Sequence, residues 1–251
     1  MPRFAANLTR LFTELPMDER FDAAARAGFT GVEILFPYDI PADHLSRLAL
    51  AAGLEIVLIN TPPPNWSGGP RGFGAIPGQE QRFRDNFDRS LRFAQALHAR
   101  QINIMSGAAD GPRAHATFMD NLAWAVRRAP HLGLNIEVLN QNDMPGYFLT
   151  DFDLAAKIIE EIDAPNLGLQ FDTYHAQAIS QDALALWRKH ADIIRHIQIA
   201  GFPGRHEPVD GEFAFTAFFT ELDQSGYRGW VSGEYDPEHL TETGLGWLPR
   251  G

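Results

Sequence analysis

The chain of 251 residues contains no cysteine. This absence excludes disulfides, cysteine nucleophiles and thiolate metal sites, so a metal site would have to be built from oxygen and nitrogen ligands. The sequence is also poor in basic residues, since 21 Lys and Arg stand against 32 Asp and Glu and give a formal net charge of −11. We therefore expect no nucleic-acid partner and no anionic membrane surface, although a locally basic pocket still suits a small anion.

Long apolar runs and several common catalytic motifs are missing as well. No stretch approaches the ~20 apolar residues of a membrane span, and the N-terminus lacks an apolar run of signal-peptide length, so we expect a cytoplasmic protein. The sequence has no dinucleotide fingerprint, Walker loop, G-x-S-x-G elbow or H-E-x-x-H pair. These absences argue against Rossmann-type hydride transfer, P-loop phosphoryl transfer and serine hydrolase chemistry.

Short apolar or β-branched runs alternate with longer amphipathic segments along the whole sequence. This pattern is typical of parallel strands joined by helical crossovers. We predict strands at residues 3–9, 31–36, 54–61, 101–105, 134–140, 167–173, 195–201 and 230–235. We predict helices at residues 18–27, 41–52, 79–99, 113–131, 151–163, 181–192 and 214–225. Eight repeats without a linker-like stretch favour one α/β domain over residues 1–251, a closed (β/α)8 barrel, in preference to an open doubly wound sheet.

One predicted connection is unusually long. Residues 62–78, between the third strand and the third helix, are rich in Pro and Gly and exceed the usual few residues of such a loop. Because Trp66, Arg71 and Phe73 lie within it, we interpret it as a cover over the active site, the alternative being an unstructured insertion.

Four polar residues mark the last four predicted strands. Glu137, Asp172, Gln198 and Glu234, here called the polar quartet, each lie in the carboxyl-terminal half of a strand. In a (β/α)8 barrel those strand ends meet at the face that carries active sites. Three carboxylates gathered there would repel one another, and with an amide oxygen they match the ligand preferences of Mg²⁺ or Mn²⁺. The alternative is that each residue is a polar strand end paired with neighbouring groups.

Further polar candidates lie near the quartet. His175 follows Asp172 by three residues and either points into the same pocket or caps the next helix. Arg205 and His206 lie in the seventh β/α loop, where barrels often bind phosphate or carboxylate groups, the alternative for Arg205 being an ordinary salt bridge. Glu33, in the second strand, is either part of the site or a buried, paired carboxylate.

Several motifs, spread over nearly the whole chain, are familiar. They are RFAANLTRLFTELP, GVEILFPYDIP, PGQEQRFR, NIEVLNQNDMPGYFL, LQFDTYHAQ, HIQIAGFPGRHEP and GLGWL. Together they resemble the hydroxypyruvate isomerase family, within the xylose isomerase-like TIM barrels. The chain is also similar to the 2-oxo-tetronate isomerases and, more distantly, to the ketose 3-epimerases.

The resemblance implies an enzyme that interconverts hydroxypyruvate and 2-hydroxy-3-oxopropanoate (tartronate semialdehyde). It implies that the polar quartet holds Mg²⁺ or Mn²⁺ and that its two glutamates act as proton donor and acceptor. It places His175, Arg205 and His206 against the substrate, a small 2-keto acid or sugar acid. Our own hypothesis is that Arg205 receives the substrate carboxylate, which would reconcile an anionic ligand with the net charge of −11. Gly201 and Phe202 depart from the family pattern, which affects substrate preference more than metal chemistry.

Alternative functions stay open at this point. The same site would serve a 2-oxo-tetronate isomerase or a ketose 3-epimerase. A metal-dependent endonuclease of the same barrel superfamily is disfavoured by the acidic charge, and a sugar-acid binding module would not need paired glutamates at a metal. The sequence also leaves open whether the protein forms a homo-oligomer.

Overall fold

The computed structural model describes residues 2–62 and 71–249. Within these residues, eight parallel strands pair in chain order and close into a barrel, β8 pairing with β1. The strands are β1 Arg3–Asn7, β2 Gly31–Ile34, β3 Glu55–Asn60, β4 Gln101–Ile104, β5 Gly133–Glu137, β6 Leu167–Asp172, β7 Ile194–Ile199 and β8 Trp230–Gly233. All eight predicted strands and the (β/α)8 barrel are confirmed.

Helices connect consecutive strands and cover the outside of the barrel. The described α-helices are α1 Met17–Ala27, α2 Ala42–Ala51, α3 Glu80–Leu97, α4 Gly111–Arg128, α5 Phe152–Ile162, α6 Thr173–Ser180, α7 Ala183–His190 and α8 Phe215–Gln224. Short 3-10 helices occupy Ala191–Ile193 and Thr241–Trp247. None of the helices in the described ranges is both long enough and apolar enough to cross a bilayer.

Helix α6 is an addition to the predicted elements. It begins directly after β6, where the carboxylate of Asp172 accepts a hydrogen bond from the backbone N–H of Tyr174 at 2.8 Å. This bond satisfies one of the unpaired N–H groups at the start of the helix. The turn into α6 brings His175 close to the end of β6.

Polar side chains bridge the barrel interior below its carboxyl-terminal face. Glu33 of β2 is fully buried and accepts hydrogen bonds from Asn7 at 2.7 Å and from the amide nitrogen of Gln198 at 2.8 Å. His196 Nε2 lies 2.8 Å from its second oxygen. Because β2 and β7 are not neighbours in the barrel, these contacts cross its interior. Glu33 is therefore a buried, paired carboxylate, the second of its two interpretations.

The described part of the long third connection packs on the end of β4. Gly72 forms an isolated bridge with Ser106, and the backbone N–H of Gly74 donates to the carbonyl of Met105 at 3.2 Å. Phe73 is buried in the hydrophobic core. Trp66, which the interpretation as a cover also used, lies outside the described residues.

Candidate active site

The carboxyl-terminal ends of the strands surround a cavity of about 260 Å³. This volume lies below the range of roughly 300–1,000 Å³ typical of pockets for drug-sized ligands, so the cavity suits a small molecule. Its lining is strongly charged. The lining residues are Arg10, Asn60, Arg71, Met105, Glu137, Leu139, Asp143, Met144, His175, Arg205, Glu234 and Asp236.

Barrel closure brings the carboxylates of the polar quartet together. Glu137 ends β5, Asp172 ends β6 and Glu234 directly follows β8, and all three are buried. Ligand atoms of Glu137, Asp172 and His175 lie within 4.8 Å of one another. Glu234 is linked to Asp172 through the guanidinium of Arg205. The buried group formed by Glu137, Asp172 and His175 could hold a metal ion.

Gln198, the fourth member of the quartet, is fully buried in β7, where it pairs in register with Asp172 of β6. Its amide nitrogen donates to Glu33, and its carbonyl accepts a hydrogen bond from Gln170 at 2.8 Å. An amide oxygen has two lone pairs, so one remains for a further contact. The contact with Glu33 fixes which way the amide faces.

Arg205 places a positive charge among these carboxylates. Its Nη2 donates to Asp172 at 2.9 Å and to Glu234 at 3.2 Å, and its Nη1 lies 3.3 Å from His175 Nε2. The guanidinium also lies 4.9 Å from the centre of the Tyr174 ring. Burial lowers the pKa of Arg205, but the surrounding carboxylates outweigh it and raise that pKa above its ordinary value.

The two glutamates lining the cavity are poised to bind protons. Burial, reinforced by the carboxylates of Glu234 and Asp172, raises the pKa of Glu137 to about 8, although Asn103 donates to its Oε2 at 2.7 Å. Burial also raises the pKa of Glu234 to about 7, and the nearby guanidinium groups oppose this shift. For both glutamates burial is the largest cause of the raised pKa, and the neighbouring arginines oppose it only in part.

A divalent cation fits this donor set. Carboxylate and amide oxygens are the ligands that Mg²⁺ and Mn²⁺ prefer, and the three buried carboxylates of Glu137, Asp172 and Glu234 lie at the same end of the barrel. With cysteine absent, this oxygen-rich end of the barrel is chemically suited to such an ion.

His175 is held as a neutral ring. Its Nδ1 faces the backbone N–H of Asn140 at 3.2 Å, and its Nε2 faces Arg205. Burial lowers the pKa of His175 to about 4, with the carboxylate of Asp172 opposing this shift. A neutral imidazole at the cavity wall can contact substrate without adding a charge.

His206 lies behind the cavity wall and contacts the backbone of Asp236. Its Nδ1 lies 2.8 Å from the backbone carbonyl of Asp236. Among the residues that the structure describes, the cavity is lined by Asp236 and Arg205 but not by His206. His206 thus supports a residue of the cavity wall.

The sequence analysis missed two residues that contact the glutamates. Arg10 follows β1, and its side chain donates to Glu234 at 3.3 Å and to Asp236 at 2.8 Å. Asn103 of β4 donates to Glu137. Asn103 lies next to the carboxyl-terminal end of β4, so the reasoning that identified the quartet would have found it, whereas Arg10 lies in the loop after β1.

Comparisons with known proteins agree with this architecture. A model of the xylose isomerase-like TIM barrel family matches residues 21–250. The chain is 43% identical to a 2-oxo-tetronate isomerase of Cupriavidus necator, with 99% of this chain and 98% of the relative covered. It is 39% identical to a hydroxypyruvate isomerase of Escherichia coli, with 99% and 98% covered.

Solved structures give the same result for the fold. The crystal structure of a protein named AP endonuclease, family 2, from Brucella melitensis is similar with a TM-score of 0.95 and 45% identity, covering 99% of this chain and 98% of that one. A 3-keto-D-glucoside 4-epimerase from E. coli has a TM-score of 0.75 at 20% identity, with 98% of both chains covered, and shows the fold alone.

Proposed function

Because the chain belongs to the xylose isomerase-like TIM barrel family, we propose that it is a metal-dependent isomerase of a small 2-keto acid. The reaction we favour interconverts hydroxypyruvate and 2-hydroxy-3-oxopropanoate. That the chain is an isomerase follows from full-length relatives named hydroxypyruvate isomerase and 2-oxo-tetronate isomerase. The observation that carries the proposal is the pair of buried glutamates, Glu137 and Glu234, which line one small cavity.

The polar quartet would hold the metal, with Glu137, Asp172 and Glu234 offering carboxylate oxygens and Gln198 its amide oxygen. When bound, Mg²⁺ or Mn²⁺ would polarise the substrate carbonyl and offset the negative charge that develops on its oxygen. The hydrogen bond from Gln198 to Glu33 supports this role, because a fixed amide presents its carbonyl in one orientation.

The two glutamates would carry the proton transfers. One removes a proton from C3 of hydroxypyruvate, giving an enediolate across C2 and C3, and the other delivers a proton to C2. A proton passes from the C3 hydroxyl to the C2 oxygen, so the product is an isomer and no atom is gained or lost. Raised pKa values bring both groups closer to neutral pH, where a general base and acid work best.

Each glutamate has one oxygen held by the protein. Glu137 Oε2 accepts from Asn103, and Glu234 Oε1 accepts from Arg10 and Arg205. In the described part of the chain, the second oxygen of each glutamate accepts no hydrogen bond. These free oxygens are the ones we assign to substrate protons or to the metal.

The cavity size and the lining support a three- or four-carbon substrate. His175 and Arg205 line it, and we propose that both contact substrate. The same site would accept a 2-oxo-tetronate, which the name of the C. necator relative favours. A panel of hydroxypyruvate, 2-oxo-tetronate and short ketoses separates these candidates by the ratio of their kcat/KM values.

The test of the proposal is isomerase activity in Glu137→Gln and Glu234→Gln. Each variant should lose at least about 1,000-fold in kcat, because proton transfer by a positioned side chain contributes roughly 10²–10⁴-fold and a displaced metal adds to the loss. Glu160→Gln, on the exposed face of α5, is the matched control and should keep wild-type activity. Metal chelation should abolish the isomerase activity of the wild type, and added Mg²⁺ or Mn²⁺ should restore that activity. Full activity in either active-site variant would rule out the proposed roles.

The similar B. melitensis protein is named an endonuclease, so that activity needs its own test. The net charge of −11 is unfavourable for binding a phosphate backbone, and the cavity of about 260 Å³ suits a small molecule. We expect neither binding nor cleavage of a duplex with an abasic site in Mg²⁺ or Mn²⁺ at low salt. Cleavage of this duplex with multiple turnovers would favour the nuclease function instead.

A further inference from the structure

The cavity lining contains three arginines that differ in how their charge is used. Arg10 is hydrogen-bonded to Glu234 and Asp236, and Arg205 to Asp172 and Glu234. Their guanidinium groups are engaged by carboxylates of the protein. If a substrate carboxylate drew these guanidinium groups away from the protein carboxylates, the buried acidic groups would lose their counter-charge, which is costly in free energy.

Arg71 is the third arginine, and its surroundings are different. Its guanidinium carbon lies 5.7 Å from the centre of the Phe36 ring. Within the described residues it has neither a carboxylate partner nor a hydrogen bond. In a cation–π contact the guanidinium lies over the face of the ring and uses none of its N–H groups as hydrogen-bond donors. The N–H donors in the guanidinium plane therefore stay available for a ligand.

The backbone next to Arg71 is firmly held. Gly72 forms a bridge with Ser106, and Ala75 N–H donates to the carbonyl of Ser106 at 2.7 Å. Gly72 has a φ of 98°, and a Cβ there would collide with the carbonyl oxygen of Met105. The close contact with the end of β4 therefore fixes the point from which the Arg71 side chain enters the cavity.

We infer that Arg71 receives the substrate carboxylate and makes the enzyme selective for acids over uncharged ketoses. This inference rests on the proposed function. The planar guanidinium can bind a carboxylate through two parallel hydrogen bonds. Arg205, to which the sequence assigned this task, then serves mainly to balance the charge of Asp172 and Glu234.

The first experiment compares Arg71→Ala with the wild type on two substrates. Hydroxypyruvate carries the carboxylate, and dihydroxyacetone offers the same ketone and hydroxymethyl groups without it. Losing the paired contact should raise KM for hydroxypyruvate on the order of 100-fold, with a much smaller change in kcat. The kcat/KM for dihydroxyacetone should change by less than about 3-fold. Dihydroxyacetone has no carboxylate, so the substitution removes no contact with it in either the bound state or the transition state. Equal losses on both substrates, or no loss on hydroxypyruvate, would overturn the inference.

Two further variants guard against a purely structural effect. Arg71→Lys keeps the charge and should recover part of the affinity for hydroxypyruvate. Arg113→Ala removes an exposed arginine at the start of α4, outside the cavity lining, and should behave as wild type. An Arg71→Lys variant as defective as Arg71→Ala on both substrates would indicate a structural role and contradict the inference.

A binding measurement separates failure of this inference from failure of the proposed function. Glycerate carries the carboxylate and hydroxyl groups but no carbonyl, so it binds without turning over. Calorimetric titration of the Mn²⁺-loaded protein with glycerate should show binding to the wild type that is about 100-fold weaker in Arg71→Ala. This result would support Arg71 as the carboxylate-binding residue even if the wild type converted neither hydroxypyruvate nor dihydroxyacetone. Unchanged glycerate affinity in Arg71→Ala, or no glycerate binding by the wild type, would count against Arg71.

Discussion

The buried carboxylates differ in how their negative charge is offset. Glu33 contacts Asn7, His196 and Gln198, whereas Glu137 receives a described hydrogen bond from Asn103 alone. The position of each carboxylate at a strand end was predictable from the sequence. Their partners were not, because they lie on other strands: Asn7 and Asn103 come from the preceding strand, and His196 and Gln198 reach Glu33 across the closed barrel.

The raised pKa of Glu137 predicts how the metal-free protein responds to pH. A carboxyl group whose pKa is higher in the folded than in the unfolded state stabilises the fold below its unfolded pKa, and this contribution disappears as pH rises through the folded value. The window therefore runs from the ordinary value of 4.5 to about 8. In EDTA, the free energy of unfolding of the wild type should fall relative to that of Glu137→Gln by at least about 1.4 kcal/mol between pH 5 and pH 8, one pKa unit in energy.

Urea unfolding of both proteins at several pH values measures this difference. Gln does not titrate, so the variant removes the contribution of that one carboxyl group while keeping its shape. A wild type that gains stability over Glu137→Gln as the pH rises would show that the carboxylate is stabilised in the fold, against this prediction.

Arg205 should matter more to the metal-free protein than to the loaded one. Without it, Asp172 and Glu234 lose a hydrogen-bonded counter-charge in a buried site, and removing one partner of such a pair costs about 3–5 kcal/mol. We expect Arg205→Gln to lower the free energy of unfolding by about 3 kcal/mol in EDTA. Saturating Mn²⁺ should reduce the difference in free energy of unfolding between the wild type and Arg205→Gln, because the cation supplies positive charge to the same carboxylates.

The control for this prediction is Arg188→Gln, which breaks an exposed ion pair between Arg188 and Glu221. Its effect should be much smaller and should not depend on Mn²⁺. An Arg205→Gln variant as stable as the wild type in EDTA, measured by urea unfolding, would refute the role of Arg205 as the counter-charge.

At the level of elements, the strands were predictable and the short connections less so. Alternating apolar runs located each strand to within a few residues, because buried parallel strands have a strong compositional signal. Helix α6 was missed, since its 8 residues follow β6 without a turn and the strand signal continues into it. The start of α5 was predicted to within one residue, and its cap is Asp151, whose carboxylate accepts from the backbone N–H of Leu154.

The contact between the third connection and β4 gives a prediction at this scale. Gly72 and Gly78 both have positive φ, but a Cβ at Gly78 meets nothing within 4 Å, whereas one at Gly72 collides with Met105. Gly78→Ala should cost about 1 kcal/mol for its backbone conformation alone. Gly72→Ala should cost at least about 1 kcal/mol more, the lower end of the cost of overpacking.

Thermal or urea unfolding measures both glycine variants, and Gly78→Ala serves as the matched control. Since Gly72 adjoins Arg71, Gly72→Ala should also raise KM for hydroxypyruvate more than Gly78→Ala does. Equal stability of the two variants would mean that the contact with Met105 is not tight.

On the scale of the whole molecule, barrel closure makes the site. Arg10 and Glu234 are 224 residues apart in sequence but in contact, because β8 pairs with β1. The eightfold repeat predicted that the carboxyl-terminal strand ends would meet. It did not predict that three arginines, Arg10, Arg71 and Arg205, would share the cavity with the carboxylates.

Deuterium labelling tests whether two glutamates move protons on a small keto acid. The Mn²⁺-loaded protein would convert hydroxypyruvate in D₂O, and mass spectrometry or NMR would locate solvent deuterium in the product. Because one glutamate removes a proton from C3 and another supplies one to C2, we predict close to one deuterium at C2 of 2-hydroxy-3-oxopropanoate and loss of this label in Glu137→Gln and Glu234→Gln. Product formed at the wild-type rate with no solvent deuterium at C2 would mean that hydrogen moves directly between the carbons, and would contradict the proposed role of the glutamates.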